Sequence, residues 1–330
     1  MRYIEPTKLV IDASNSGGGA SVLLCFLAKV LRERSLPHVF LASDRLKLSE
    51  SPCAYVSSVR PISSKRTRHL ERLGVGSNDC TLLCFGNIPP LRKPKKTNTF
   101  TYFHNALLLA SANRNCLSAK DLLKVFAIRM AIRFYSRNTD YWIVQTPLVK
   151  RLLLQSIKAG TNKVLVLPFF DELATYQAIS PFTDSGYDFF YSSSFLAHKN
   201  HINLLHAIIL LCKQGRPVSL GLTIGRDASK QVSSLADVAR EKGAKIDFLG
   251  GISHSDCLRL TLSSKAIIFP SLIETVGLGL IEATDSGKPV LVSDLEWAKE
   301  IIETPYRFNP ESPESIAETQ SNLFGWLLFR

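Results

Sequence analysis

Short apolar runs alternate with longer stretches of helical periodicity along the first half of the chain. The segment KLVIDAS (8–14) is typical of a buried strand, and SVLLCFLAKVLRER (21–34) has the apolar spacing of a helix. Further strands are predicted at HVFLA, CTLLCFG, TFTYFHN, YWIVQT and KVLVLPF, and a long helix at 116–137. Pro147 directly follows a predicted strand and favours the start of a helix there.

The same alternation returns in residues 188–330, where five apolar runs are each followed by a stretch of helical period. Residues 171–187 lack a clear period and are typical of a linker. Alternating strands and helices indicate parallel sheets covered on both faces. The sequence therefore predicts an α/β protein with two Rossmann-like domains, 1–170 and 188–330, whose parallel sheets face each other across a cleft. Ligands of such sheets bind beyond the carboxyl ends of the strands.

Composition narrows the class of protein. A hydrophobic content of 45% and a charged content of 21% fit a soluble globular chain. Seven scattered cysteines without metal-ligand spacing are expected to be small buried hydrophobes in a reducing compartment. No apolar signal region or stretch of 18 apolar residues is found. We expect a cytoplasmic protein.

Charge is divided unevenly between the two halves. Residues 1–170 carry 26 Lys and Arg against 9 Asp and Glu, a net charge of +17, whereas residues 171–330 carry 14 against 19, a net charge of −5. A basic half favours a phosphate-bearing partner, such as a nucleic acid, an anionic lipid or a diphosphate substrate. We expect no nucleic-acid partner, because the chain lacks a helix-turn-helix, zinc-finger or RNP-like motif.

The predicted helix 116–137 carries Arg129, Arg133 and Arg137 at intervals of four, which places them on one stripe. Two interpretations stay open. The helix is either a core helix with a solvated basic edge or a surface element that lies against an anionic membrane. The basic segments 60–73 and 91–96 in the same half favour the membrane or another anionic partner.

Two features of the first half lie in loops that follow strands. Gly17, Gly18 and Gly19 precede a helix start, where free backbone N–H groups suit a phosphate or an anionic acceptor, although a merely tight turn also explains them. His104 ends a predicted strand. A neutral imidazole there either contacts a sugar hydroxyl and moves a proton, or is satisfied by backbone groups.

The second half offers a lysine and two glutamates in such loops. Lys199 follows the first strand of that half, where an ammonium can neutralise a diphosphate. Glu274 and Glu282 flank Gly277 and Gly279 between a strand and a helix. Free N–H groups at that helix start suit phosphate or sugar oxygens, and a carboxylate on the helix accepts hydroxyl hydrogen bonds. A solvated helix with incidental acids is the alternative.

Several short motifs in the second half follow one another in a recognisable order. They are HKN (198–200), FLG (248–250), FPS (269–271), Glu274 with Glu282, GKPV (287–290), SD (293–294) and FNPESPESIA (308–317). This series resembles the retaining glycosyltransferases of the GT-B fold, in particular the family 4-like glycosyl transferases group 1. The resemblance covers nearly the whole chain and is strongest over 188–310.

The resemblance implies roles for the matching residues of the second domain, which would bind the nucleotide-sugar donor. Glu282 would bind the ribose, Glu274 would contact the transferred sugar, and Lys199 would neutralise the leaving diphosphate. The sugar and diphosphate would be held by backbone groups around Val276, Gly277, Leu278 and Gly279.

The resemblance assigns the first domain to the acceptor. Gly17, Gly18 and Gly19 would flank the diphosphate and acceptor, and His104 would join Glu274 and Lys199 in the catalytic set by facing the sugar. Catalysis would be mainly electrostatic, with no cofactor and no metal.

Together these observations predict a metal-independent, retaining hexosyl- or related glycosyltransferase. It would act on a lipid-linked or surface-polysaccharide acceptor, of the lipopolysaccharide O-antigen or capsule type. We expect it to be peripheral at the inner face of the cell membrane. Two alternatives stay open: a nucleotide-sugar epimerase of the same fold, and a non-catalytic sugar-nucleotide-binding assembly subunit, which is suggested by Ser194 where the family often has an arginine.

Overall fold

A computed structural model describes residues 8–14, 19–43, 51–56, 63–77, 80–109, 117–157, 159–167, 179–182 and 186–327. These residues form two compact units, each with its own parallel sheet. The first unit holds the described residues up to 167, apart from Leu117, and the second unit holds those from 179 onward. Of the predicted linker, residues 171–178 and 183–185 lie outside the described part of the chain.

The sheet of the first unit has seven strands within the described residues, and every pairing between neighbours is parallel. In sheet order the strands are Cys53–Val56 (β3), His38–Ser43 (β2), Lys8–Ala13 (β1), Cys80–Cys84 (β4), Thr97–Phe103 (β5), Tyr141–Val144 (β6) and Val164–Val166 (β7). The helices are Gly19–Glu33 (α1), Ser64–Arg72 (α2), Ala119–Tyr135 (α3) and Pro147–Ser156 (α4).

The sheet of the second unit has six described strands, again all parallel. Their order is Lys245–Phe248 (β10), Ser219–Leu222 (β9), Phe189–Tyr191 (β8), Ala266–Phe269 (β11), Val290–Ser293 (β12) and Arg307–Phe308 (β13). The helices are His201–Lys213 (α5), Lys230–Glu241 (α6), His254–Ser263 (α7), Leu278–Asp285 (α8), Glu296–Lys299 (α9) and Pro313–Leu327 (α10).

Both sheets share one topology, in which the chain starts in the middle, moves to one edge and then returns to build the other side. The reversal lies between β1 and β4 in the first unit and between β8 and β11 in the second. Loops on either side of such a reversal diverge at the carboxyl edge of the sheet and leave a crevice for a ligand. The central strands are buried on both faces, as in β11, where all four residues are buried.

The two-sheet α/β architecture expected from the hydrophobic pattern is confirmed. Pro147 opens α4 as expected, and the Thr146 side chain caps that helix by accepting from the Val149 N–H. Three elements escaped the pattern: β3, α2 and β13. The strands β3 and β13 are short, and α2 (SKRTRHLER) contributes only Arg66 and Leu70 to the interior, which is too few apolar positions to show a period.

The expectation that the cysteines are buried holds for only part of them. Cys80, Cys84 and Cys212 are buried, and burial raises the pKa of the Cys84 thiol to about 12. Cys25 is exposed on α1, contrary to expectation. No helix among the described residues combines the length and apolar character needed to cross a membrane.

Candidate active site

Two of the predicted site residues of the second unit meet as an ion pair. Lys199 lies in the loop after β8 and Glu274 in the loop after β11, and the Lys199 Nζ is 2.6 Å from Glu274 Oε1. Because β8 and β11 are adjacent parallel strands, both loops leave the same edge of the sheet. The side chains are 18% and 12% exposed, so the pair is largely enclosed but still reachable from solvent.

The backbone on both sides of this pair is held by hydrogen bonds between the two loops. The Leu272 N–H donates to the His198 carbonyl at 2.8 Å, and the Tyr191 hydroxyl donates to the Lys199 carbonyl at 3.0 Å. Asn200 has the left-handed conformation (φ 60°) and donates from Nδ2 to the Pro270 carbonyl at 3.0 Å. The position of Lys199 is therefore set by the chain around it, which favours a preorganised charge.

His198 and His201 lie beside this lysine in the chain, and the fold keeps both imidazoles neutral. Burial and the neighbouring Lys199 charge lower the pKa of each imidazole to about 4, so both are neutral at pH 7. The His201 Nε2 lies 3.1 Å from the Ser193 hydroxyl, and its ring packs against Tyr191 and Phe195. His201 is the first residue of α5.

Glu282 lies on α8 and is paired with a residue that the sequence did not single out. The His254 Nε2 is 2.7 Å from Glu282 Oε1; the histidine side chain is exposed, whereas the glutamate is mostly enclosed. His254 is the first residue of α7 and reaches across from that neighbouring helix. The position of His254 shortly after the strand that ends in FLG could have placed it at this edge of the sheet, but no motif includes it.

The helix start between the two glutamates has an uncapped geometry. Gly277 is the N-cap of α8 and has φ +65°, a conformation that other residues adopt only at a cost. A glycine N-cap has no side chain to bind the first N–H groups, which belong to Leu278 and Gly279. Val276 is buried and fixes the entry into the turn. This arrangement can accept an anion at the start of the helix.

Of the predicted loop in the first unit, Gly17 and Gly18 lie outside the described residues, and Gly19 is the first residue of α1. His104 follows β5, as expected from the sequence. Its Nε2 donates to the Phe85 carbonyl at 2.9 Å, and its backbone N–H donates to Asn87 Oδ1 at 2.7 Å. Burial lowers the pKa of His104, so the ring is neutral at pH 7. This is the backbone-satisfied arrangement; contact with a sugar stays a prediction.

Part of the predicted basic surface is an internal ion pair instead. Arg66, in the basic segment 60–73, is 2% exposed, and its Nε lies 2.5 Å from Asp12 Oδ2. The two remaining nitrogens of its guanidinium donate to the carbonyls of Ile88 and Pro89 at 2.9 and 3.0 Å. Arg66 therefore does not contribute to the basic surface expected of segment 60–73, because its side chain ties α2 to β1 and to the loop after β4.

The three arginines predicted on one stripe are carried by the end of α3 and the turn that follows it. Arg133 and Arg137 are exposed, whereas Arg129 is half-buried. Only Ala131 and Ile132 of α3 are buried, so the interpretation as an ordinary core helix does not describe it. Among the described residues, no cluster of three or more His, Cys, Asp or Glu side chains is placed to hold a metal ion.

Comparison with known sequences finds a family model that matches the second unit. Residues 174–323 match the family model described as glycosyl transferases group 1. The chain is also similar to the serotype-specific mannosyltransferase WbdA of Escherichia coli, with 25% identity over 273 residues. That match covers 78% of this chain and 32% of the relative, so the chain spans about a third of the length of the curated relatives it matches.

Solved structures extend the likeness to nearly the whole chain. Anabaena Alr3699/HepE, solved in complex with UDP and glucose, has a TM-score of 0.69 at 15% identity and covers 96% of this chain and 90% of its own. A glycosyltransferase from Rickettsia africae ESF-5 has a TM-score of 0.70 at 15% identity, with 98% and 89% covered. At this identity the likeness concerns the fold, which is the two-domain α/β fold of the GT-B class.

Proposed function

We propose that the chain, whose residues 174–323 match the model of the glycosyl transferases group 1 family, moves a sugar from a nucleotide-sugar donor to an acceptor with retention at the anomeric carbon. The second unit would bind the donor and the first unit the acceptor. The observation that carries the proposal is the Lys199–Glu274 pair beside the strand-order reversal of the family-matched unit. A charge pair in this crevice stands where a ligand of an open parallel sheet binds.

The chemistry required is stabilisation of a leaving nucleoside diphosphate. A lysine ammonium has three N–H donors, and Glu274 occupies one of them at 2.6 Å. The other two suit diphosphate oxygens, whose negative charge grows as the bond to the sugar breaks. Glu274 would hold Lys199 in place and contact a hydroxyl of the transferred sugar.

The start of α8 and Glu282 would hold the rest of the donor. The N–H groups after Gly277 suit a phosphate or sugar oxygen, since the N-cap supplies no side chain of its own. Glu282 would accept hydrogen bonds from the two ribose hydroxyls. The His254 Nε2, 2.7 Å from Glu282 Oε1, would orient this carboxylate. Catalysis in this scheme is electrostatic and uses no metal, and His104 would face the sugar from the first unit.

The relatives suggest which donor and acceptor to test first. The curated relative is a serotype-specific mannosyltransferase, and solved structures of the same fold bind UDP and UDP-glucose. We therefore propose a nucleotide-activated hexose as donor, with mannose the first candidate. The acceptor would be a lipid-linked or surface polysaccharide of the O-antigen or capsule type, reached at the cytoplasmic face of the membrane.

A product screen tests this function. The purified chain is incubated with radiolabelled GDP-mannose or UDP-glucose and a bacterial membrane-lipid extract, and the lipid, glycan and nucleotide-sugar fractions are separated. Label should enter the lipid or glycan fraction, and NMR of the product should show the anomeric configuration of the donor. Interconversion of the free nucleotide sugars would identify an epimerase instead. Donor binding without any product would identify a non-catalytic subunit; either result contradicts the proposal.

A further inference from the structure

Helix α3 presents a row of large apolar side chains to solvent. Leu123 is 70% exposed, Phe126 60%, Met130 48% and Phe134 77%. Large apolar residues singly exposed on a surface are ordinary, but four on one helix form a contiguous patch. We call these four residues the α3 stripe.

The spacing of the α3 stripe places its members on one face. At 100° per residue, positions separated by three, four and four residues fall within an arc of roughly 80°. Of the two buried residues of α3, Ile132 lies roughly 160° from the centre of the stripe and Ala131 roughly 100° from it, so the helix packs on its own unit with the side turned away from the stripe. The helix therefore has an apolar face toward the protein and a second, narrower one directed outward.

Basic residues flank the α3 stripe on both sides. On the helical wheel, Arg129 and Arg133 fall on one side of the stripe and Lys120 and Lys124 on the other. Asp121 is the single acid between positions 119 and 137. Narrow apolar faces bordered by lysine and arginine match the boundary between anionic headgroups and acyl chains. A second copy of the same positive surface would be repelled by this one.

We propose that α3 lies in the plane of an anionic membrane and inserts the α3 stripe below the headgroups, with the flanking basic side chains bound to lipid phosphates. This deepens the proposed function, on which it rests for the lipid-linked acceptor, because it names the surface through which the chain reaches a lipid phase. It also changes the expected binding mode. Arginines alone would give purely electrostatic contact, whereas an inserted stripe adds a part that salt does not screen.

Vesicle sedimentation tests the inserted stripe. Wild-type protein should bind vesicles of phosphatidylcholine with about a third phosphatidylglycerol, and a measurable fraction should stay bound at about 1 M NaCl. The double variant Phe126→Ser/Phe134→Ser should bind the vesicles at least about tenfold more weakly than the wild type, because two inserted aromatic side chains are lost. Val238→Ser, which removes an exposed apolar side chain from α6 of the other unit, should bind as wild type does.

Three outcomes would overturn this proposal: no binding of the wild type to anionic vesicles, equal binding by the double variant, or complete release of the wild type at high salt. A dimer that the double variant dissociates, with vesicle binding unchanged, would identify the stripe as a contact between copies. Calorimetry with UDP and GDP separates this proposal from the proposed function. The double variant should bind the nucleotide as the wild type does, whereas failure of both proteins to bind any nucleotide would count against the function alone.

Discussion

At the scale of single residues, the environment of Lys199 sets the ionisation of its neighbours. The His201 ring is enclosed by Tyr191 and Phe195, and its Nε2 contacts the Ser193 hydroxyl at 3.1 Å. Burial and the Lys199 charge together lower the pKa of His201 to about 4. The fold therefore keeps this imidazole neutral at a pH where the unfolded chain would protonate it.

This depressed pKa predicts a loss of stability in mild acid. Between the unfolded pKa near 6.5 and the folded value of about 4, the unfolded state binds a proton that the folded state does not, so stability falls as the pH falls. From pH 7.5 to pH 5.0, His201 should account for about 2 kcal/mol of lost unfolding free energy. Urea unfolding of wild type and His201→Gln at both pH values measures it.

Comparing the change with pH, rather than the stability itself, removes any general cost of the substitution. His206→Gln, on the exposed side of the same helix, is the matched control for replacing a histidine of α5 by glutamine. An equal pH dependence in wild type and His201→Gln would contradict the role assigned to His201.

At the scale of elements, α2 shows how a polar segment can be anchored by one buried charge. Arg66 joins this helix to Asp12 of β1 and, through two carbonyls, to the loop after β4. These contacts occupy all three nitrogens of its guanidinium, which is what a charge buried at this depth requires. Arg66 thereby links β1 to the loop after β4, and the strand order of the first sheet reverses between these two strands.

Removing Arg66 should leave the Asp12 carboxylate buried without its partner. We expect Arg66→Met to lower the unfolding free energy by about 3–5 kcal/mol in urea. Arg68→Met, on the exposed side of the same helix, should change it by less than about 0.5 kcal/mol. Equal effects of the two substitutions would mean that the buried pair contributes nothing specific to stability.

The strands and helices also show which parts of the fold can be predicted from the sequence. Strands with four or more successive apolar residues, such as β11, and helices with a strong period, such as α1, were predictable because their burial repeats locally. The loops carrying Lys199 and Glu274 could be placed at one sheet edge, since parallel strands share their carboxyl ends. The 2.6 Å contact between Lys199 and Glu274 could not be predicted, because it depends on which strands are neighbours in the sheet.

Other features depend on long-range contacts that no local pattern carries. The charge-rich segment around Arg66 has the composition of a surface, yet a partner 54 positions away draws that side chain inside. His254 reaches Glu282 from a helix 28 positions earlier in the chain. The outward apolar face of α3 could not be predicted either. An apolar residue in a sequence does not show whether its side chain faces the core or the solvent.

At the scale of the whole molecule, two units with the same parallel topology divide unequal charge between them. Residues 1–170 have a net charge of +17, and residues 171–330 one of −5. The family match and the Lys199–Glu274 pair both lie in the second part, whereas the α3 stripe lies in the first. We therefore propose that the second unit binds the nucleotide sugar and that the first unit binds the membrane with its acceptor.

The second sheet contains a matched control for the Lys199–Glu274 pair. Lys265 and Asp188 form an ion pair of 2.7 Å just before β11 and β8, at the opposite edge of the same two strands that lead to Lys199 and Glu274. Both pairs join a lysine to a carboxylate across adjacent strands. They differ in which end of the sheet they occupy, and only the carboxyl end is expected to bind a ligand.

The most direct test of the proposed donor site is therefore the rate of sugar transfer by wild type, Lys199→Met and Lys265→Met with the donor and acceptor found in the product screen. Loss of the ammonium that stabilises the leaving diphosphate should lower kcat/KM of Lys199→Met by about 100-fold or more. Lys265→Met should stay within about threefold of wild type, because its side chain lies at the other edge of the sheet. Equal rates for the two variants, or a Lys199→Met variant as fast as wild type, would contradict the assignment of this site.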